Sequence, residues 1–364
     1  MVGIPTPPLL QSPAMKLVEN LRSLCASNVL QPMPLPKGVS LSSTGAISSR
    51  LKLRTEIDPN RALSYIYSTA HVFDQNVNEF QVYMPENFSG TVAEMDPSTV
   101  QLLMLWDRKH KIEHVSLMTH PILCNMSSVV HSVSEQYKKW GVVDAILEQD
   151  AAQGLAVSCW SDGPIELEVP EPVVSDCRLS FFLLEPWAFN DDDFQLFTKQ
   201  TVMNNAPHRR GFVMRDFKDS DRLWGMIYDR CHRLHCRWFV VSTYDSWCFG
   251  VFSRGWTSAF VSSPKSGGSR SPTILQCLVY WILSSMDCEG KWDIDEVSPS
   301  AMGSKDKSKG KKRSSSRSSG DGEDESGSKP KRRKSATDLP SYICTVADFA
   351  FTNAEAARAV SNAR

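Results

Sequence analysis

The densest set of metal-ligand residue types in the chain is Cys231-His232-Arg-Leu-His235-Cys236. Cys231 with His235, and His232 with Cys236, stand four apart, the spacing at which a helix presents two ligands on one face. The two pairs diverge by about 100° around such a helix, so one short segment cannot close a tetrahedron with all four. Cys231 and His235 are the candidate metal pair. No Cys/His pair of matching spacing completes them, and no metal or other cofactor is expected. The competing reading turns Cys231 inward and gathers Arg230, His232, Arg233 and Arg237 at the negative end of the helix dipole.

Carboxylates are the second set. Asp191-Asp192-Asp193, and Asp216, Asp219 and Asp221, could hold Mg²⁺ or exchange protons as a general acid and base. Helix N-capping, and a turn after Trp187-Ala-Phe-Asn190, account for the same residues without chemistry. The sequence has no GxGxxG, Walker loop, GxSxG, HExxH, or kinase HRD and DFG pattern. A Ser/His/Asp or Cys/His triad can assemble from distant positions, and nothing in the spacing selects one.

Two cationic blocks form the third set. Lys309-Gly-Lys311-Lys312-Arg313 and Lys329-Pro-Lys331-Arg332-Arg333-Lys334 flank a Ser/Gly-rich spacer with an acidic patch at 321–325. An import receptor reads consecutive long cations on extended chain, and Lys311, Lys312, Arg313, Lys329, Lys331, Arg332, Arg333 and Lys334 are the candidate contacts. Counterion-driven contact with nucleic acid, or a solvated loop without a partner, are the alternatives. The acidic patch weakens the first of these, and the segment holds no aromatic residue for base stacking. Ser335 follows Arg-Arg-Lys as in a basophilic kinase target, and Ser318 precedes an acidic residue as in an acidophilic one. Phosphate at Ser335 would add about −2 charge beside the import block.

The composition frames these sets. The 364 residues are 41% apolar and carry 40 basic and 41 acidic side chains, as expected of a folded chain with one large domain or two small ones. Residues 304–338 hold 12 of the basic and six of the acidic residues, so an anionic body carries a cationic strip. The ten cysteines include no CxxC pair and read as reduced, buried thiols. The first residues lack a secretory signal, and the most apolar stretch, 273–286, is shorter than the roughly 20 residues of a membrane span.

Periodicity supplies the elements. An N-terminal arm, amphipathic helix (14–28) and linker are expected over 1–50, and a body over 51–297 with a subdomain boundary near 150–175 as a variant. A disordered Ser/Lys/Arg-rich segment follows over 298–340, then a short element with a helix over 341–364. Within the body, Asp58-Pro59 and Asp96-Pro97 each open a helix, and 127–140 forms another. Residues 80–84 alternate like a strand, 155–160 and 165–169 read as a hairpin, and 178–184 as a further strand. From 219 a helix buries Leu223, Trp224, Ile227, Tyr228, Cys231 and Leu234. Runs near 238–243, 247–252 and 256–261 form an antiparallel meander, and 272–286 a helix with almost no polar face. Helices segregated from antiparallel strands make the class α+β.

The stretch Arg237-Trp-Phe-Val-Val-Ser-Thr-Tyr-Asp-Ser-Trp-Cys-Phe-Gly-Val-Phe-Ser, continued through Gly-Trp-Thr-Ser-Ala-Phe-Val to the apolar helix near 283, resembles a segment of an uncharacterised protein family of mushroom-forming fungi. It implies no activity. The order helix, strand, strand from Leu223 also resembles the second half of the PD-(D/E)xK nuclease-like fold. That resemblance implies an Asp and then Glu-x-Lys on adjacent strands. Asp176 and Glu185 are the matching acids, with Asp216 and Asp219 beyond them, but Trp187 stands where the lysine should. The expectation is therefore a nuclear, non-enzymatic protein-interaction module, with an import receptor and a further protein as partners and no membrane. The alternative is a nucleic-acid-associated protein or degenerate nuclease relative. The expected location is the nucleus, with shuttling to the cytoplasm as a variant.

Overall fold

A computed structural model describes residues 15–33, 61–70, 72–93, 111–145, 155–166, 173–187, 189–203 and 219–293. In chain order the elements are β1 (Met15–Asn20), α1 (Leu21–Ser27), β2 (Tyr65–Ser68), α2 (Phe73–Phe80), β3 (Asn87–Ala93), α3 (Lys111–Val133), β4 (Gly141–Asp144), β5 (Leu155–Ser161), β6 (Ile165–Glu166), β7 (Val173–Val174), β8 (Cys177–Leu184), α4 (Asp191–Lys199), α5 (Asp219–Arg233), β9 (Trp238–Ser242), β10 (Ser246–Phe252), β11 (Ser258–Val261), β12 (Lys265–Ser266) and α6 (Ile274–Ser285). The expected α+β class stands. Among the described residues, six helices accompany a mixed eight-stranded sheet of order β2-β11-β10-β9-β8-β5-β4, with β12 on β10.

Aromatic and β-branched runs split by short turns make β9, β10 and β11 the expected antiparallel meander, with Phe249 opposite Val240 and Val251 opposite Phe260. The meander sits in a larger sheet that has two parallel pairs, β8 with β9 and β11 with β2. A parallel neighbour needs a long crossover, and the connection from β8 to β9 carries α4 and α5.

Register divides the side chains between two faces. Leu179, Phe181, Trp238, Val240, Phe249 and Val251 share one face, and Ser180, Phe182, Phe239, Val241 and Cys248 the other. Helices α2, α3 and α6 cover the first. Trp281 of α6 meets Trp238 edge-on at 4.7 Å, and Phe73 of α2 stacks on Phe249 at 5.1 Å. Helices α4 and α5 cover the second, where Trp224 stacks on Phe197 at 4.4 Å and meets Phe239 edge-on at 5.7 Å. The result is a sheet between two helical layers. All twelve residues of α6 are buried, and a capping box between Thr273 and Gln276 satisfies its N-terminus. No helix among the described residues is long and apolar enough to cross a membrane.

Several local expectations are corrected. Residues 14–28 do not form one helix. Met15–Asn20 pairs with β3, and the Asn20 side chain then caps α1 by accepting from Ser23 N–H. Helix α1 docks through Leu21, Leu24 and Cys25, and the Thr273 hydroxyl donates to the Cys25 carbonyl. Residues 65–68, expected as helix, form β2, because β11 offers them a parallel partner from Ser258 to Val261. The expected strand at 80–84 is the end of α2 followed by a 3₁₀ turn at Gln81–Tyr83, and α2 instead buries Phe73, Val77 and Phe80 at helical spacing. Helix α3 spans Lys111–Val133 rather than 127–140. The hairpin around Ser161 is not formed as expected. Strand β5 pairs with β4 and β8, and β6 pairs with β7. The helix expected after Asp96-Pro97, the opening Asp58-Pro59 and the segments 298–340 and 341–364 lie outside the described residues.

Candidate functional site

Among the described residues, the candidate acids Asp176 and Glu185 do not converge. Asp176 precedes β8 and Glu185 follows it, and the register puts Cys177 opposite Ser161 but Leu184 opposite Leu155. At about 3.3 Å per residue, the two carboxylates are separated by roughly 25–30 Å, the length of the strand. Asp176 is exposed and pairs with Arg178 at 2.7 Å. Glu185 accepts from the indole N–H of Trp187, so the residue at the expected lysine position occupies the carboxylate. Asp219 is the first residue of α5, and Asp216 lies outside the described residues. The 191–193 acids form the first turn of α4, where Asn190 and Asp193 make a capping box and Asp191 accepts from the Ser246 hydroxyl. Asp221 accepts from the Gln200 amide.

The candidate metal pair is also divided. Cys231 turns into the core, whereas His235, just past the end of α5, is exposed with φ of 51°. Cys231 shares this interior with three other cysteines. Cys159 on β5, Cys177 on β8, Cys236 and Cys231 are all buried near Ser180, with the Cys159 Sγ 3.8 Å from the Ser180 hydroxyl. Burial pushes the Cys231 and Cys236 thiols well above their ordinary pKa, and hydrogen bonding to Cys159 does so for Cys177. Such thiols stay protonated and are poor ligands and poor nucleophiles. Among the described residues, no three His, Cys, Asp or Glu side chains are grouped to hold a metal ion. Sequence spacing missed this grouping because its members lie on three elements. Strand parity could not reveal it, because a register shift after Trp160 intervenes between the Cys159 and Cys177 pairings and both faces of these strands are buried.

A second polar group lies under α3. The Cys124 Sγ is 3.1 Å from His120 Nε2 one turn away, and Ser158 on β5 donates to Asp144 at the end of β4 at 2.9 Å. Burial lowers the His120 pKa while the Asp144 charge draws it back up. Burial raises the Asp144 pKa, opposed by the Ser158 hydroxyl and by His120. The group combines the residue types of nucleophilic chemistry, with His120 and Asp144 within electrostatic reach of each other.

The surface with the most definite chemistry is the corner where α5 ends beside the β10–β11 turn. Helix α5 places Arg230, His232 and Arg233 in its last turn, as its dipole favours. The loop after it brings His235 and Arg237, and the turn adds Arg254 and Trp256. His232 stacks on Tyr228 at 5.7 Å with ring planes 12° apart. Trp256 meets His232 edge-on at 5.0 Å and stacks on Phe252 at 5.3 Å. His232, Arg233, His235 and Arg254 are exposed, and Arg230, Arg237 and Trp256 are half-buried. The backbone of Trp256 has φ of 58°, a left-handed conformation in which a bulky side chain is strained by about 1–3 kcal/mol. Contacts to three rings hold it there.

The acids around this corner are engaged. Asp229 accepts from Arg61 in a two-pronged pair, Nε to Oδ1 at 2.9 Å and Nη2 to Oδ2 at 2.5 Å. Asp287 pairs with Lys291 at 2.8 Å, and that bond, with the further pull of Arg178 and Arg237, holds its carboxyl below the usual range. The Arg61 side chain is 2% exposed, so the charge-assisted bonds from Asp229 act on a buried cation. Asp229→Ala should lower the unfolding free energy by about 1.5–3 kcal/mol, the range for a hydrogen bond to a charged group. A urea midpoint equal to that of the unaltered chain would contradict this pairing.

Comparison with protein-family models, with curated proteins and with solved structures finds no match. The reading of the corner therefore rests on its chemistry.

Proposed function

We propose that the chain is a nuclear, non-enzymatic interaction module whose body receives an anionic partner at the Trp256 corner. The observation that carries this reading is the corner itself, where cationic side chains gather beside exposed His232 and half-buried Trp256. The divergence of Asp176 and Glu185 along β8 supports binding over hydrolysis at those acids. The strip from Lys309 to Lys334 supplies entry to the nucleus through an import receptor, and Ser335 stands where phosphate would weaken that contact.

A fluorescent fusion of the full chain tests the location. With Lys331, Arg332, Arg333 and Lys334 all changed to alanine, the nuclear-to-cytoplasmic ratio should fall several-fold toward an even distribution. An unchanged ratio would remove the import role of the block.

A second reading, a nucleic-acid-associated relative of the PD-(D/E)xK fold, is favoured by one observation. Helix α5 leads into β9 and then β10, the helix–strand–strand order of that resemblance, with β9 parallel to β8. Trp187 in place of the lysine then makes it a binding relative.

A further inference from the structure

We infer that Cys124 is a nucleophilic thiol, activated by His120, that hydrogen peroxide converts to a sulfenic acid. The inference stands apart from the reading of the Trp256 corner. Of the nine described cysteines, seven are buried, and Cys124 and Cys288 are the two that reach the surface in part. These two differ in their partners. The Cys288 sulfur lies 2.7 Å from the Tyr137 hydroxyl. Burial, with the Asp287 charge adding to it, raises the Cys288 pKa against the pull of that hydroxyl. A phenol is no base at neutral pH, so Cys288 stays protonated. The Cys124 sulfur lies 3.1 Å from His120 Nε2, and an imidazole takes up a proton in that range.

Helix α3 makes this pair, since residues four apart share a face, and both side chains are half-buried. Asp144 on β4 is the third group, within electrostatic reach of the ring and held by the Ser158 hydroxyl at 2.9 Å. Burial favours the neutral ring, which can accept the thiol proton, and the Asp144 charge favours the imidazolium that results. Nucleophile, adjacent base and a carboxylate beyond it are the parts of an activated thiol. Peroxide is the fitting electrophile because a half-buried sulfur admits a small molecule, and because the hydroxide it releases needs the proton that His120 has taken.

In the step, the Cys124 S–H proton passes to His120 Nε2 and the sulfur attacks one peroxide oxygen. An S–O bond forms as the O–O bond breaks. The departing hydroxide takes the proton from His120 and leaves as water. The sulfur gives up two electrons and the peroxide is reduced. The product is a sulfenic acid, which a thiol can return to the reduced state.

The test uses the full folded chain, with Cys344, which lies outside the described residues, changed to serine in every protein. Brief treatment with iodoacetamide, or with hydrogen peroxide and dimedone to trap sulfenic acid, is followed by mass spectrometry of the peptides. Cys124 should react about tenfold faster than Cys288 with either reagent, the gain in thiolate that a paired base supplies. His120→Gln should lower the Cys124 rate about tenfold and Asp144→Asn about threefold, with Cys288 unchanged in both. Buried Cys231 and Cys248 should stay unlabelled throughout, which reports an intact body. Cys124 reacting no faster than Cys288 would overturn the inference, as would an unchanged Cys124 rate in His120→Gln. Fast alkylation without a dimedone adduct would overturn it too. Should labelling of Cys231 show that His120→Gln does not fold, Asp144→Asn decides, and an unchanged Cys124 rate there would overturn the inference.

Discussion

Replacing Trp281 by alanine should lower the unfolding free energy by about 3–5 kcal/mol, the cost of deleting a large buried aromatic. The side chain is 1% exposed and lies within ring contact of Phe73, Trp238, Phe249, Tyr280 and Trp292. Its indole N–H is shared between the carbonyls of Phe239 at 3.2 Å and Gly250 at 3.3 Å, tying α6 to two neighbouring strands. Truncation opens a cavity and leaves both carbonyls without this donor. A domain has about 5–15 kcal/mol in all, so the loss is a large share of it. Trp281→Phe keeps most of the volume and should cost about half as much. Urea unfolding followed by circular dichroism checks both, and a midpoint that moves equally in the two variants would assign the loss to the hydrogen bond rather than to packing.

Gly250→Ala should be nearly as damaging although it adds a single methyl. A Cβ at this position would stand 2.1 Å from Phe239 Cζ and 2.4 Å from Cε2, so the ring or the strand must move. Phe239 is fully buried, with Trp224 at 5.7 Å edge-on and Phe252 at 5.1 Å, and has little room to give. Overpacking of this kind costs about 3 kcal/mol. Shortening the opposing ring should relieve it, so Phe239→Leu should cost less in the Gly250→Ala background than in the parent. A double-mutant cycle measures the difference, and additivity within about 0.5 kcal/mol would show that the ring is not the obstacle.

The parts of this fold that were legible in the sequence share one property: their pattern is local and long. Leu223, Trp224, Ile227, Tyr228 and Cys231 repeat at helical spacing, and the structure buries all of them. The apolar helix α6, the meander and β8 were equally plain. Where the reading failed, distant partners decided the conformation. Tyr65–Ser68 carries no mark of a parallel neighbour some 190 residues away, yet that neighbour makes it a strand. Leu17, Val18 and Leu21 fit one helical face, but β3 claims the first two and the Asn20 cap starts the helix only afterward. The alternation of 80–84 arose where the inward face of α2 runs into a 3₁₀ turn.

The candidate sites divide the same way. Asp176 and Glu185 looked close because nine residues is a short stretch of sequence, and it is a long distance when the chain is extended. The cationic end of α5 was visible from Arg230, His232, Arg233 and Arg237. The ring that completes the corner was not, because Trp256 reads as the first residue of a strand, whereas β11 begins at Ser258 and Trp256 belongs to the turn.

The sulfur-lined interior between β5, β8 and α5 has a consequence for how this protein meets oxidants. Cys177, Cys231 and Cys236 are kept in the unreactive, protonated form and screened from reagents by the helix above them. With at most 5% of each residue exposed, an oxidant dissolved around the protein reaches them poorly while the sheet is intact. Damage at these positions would therefore accumulate in proportion to how often the body comes apart, making their chemical state a tally of past openings rather than a gauge of the redox surroundings.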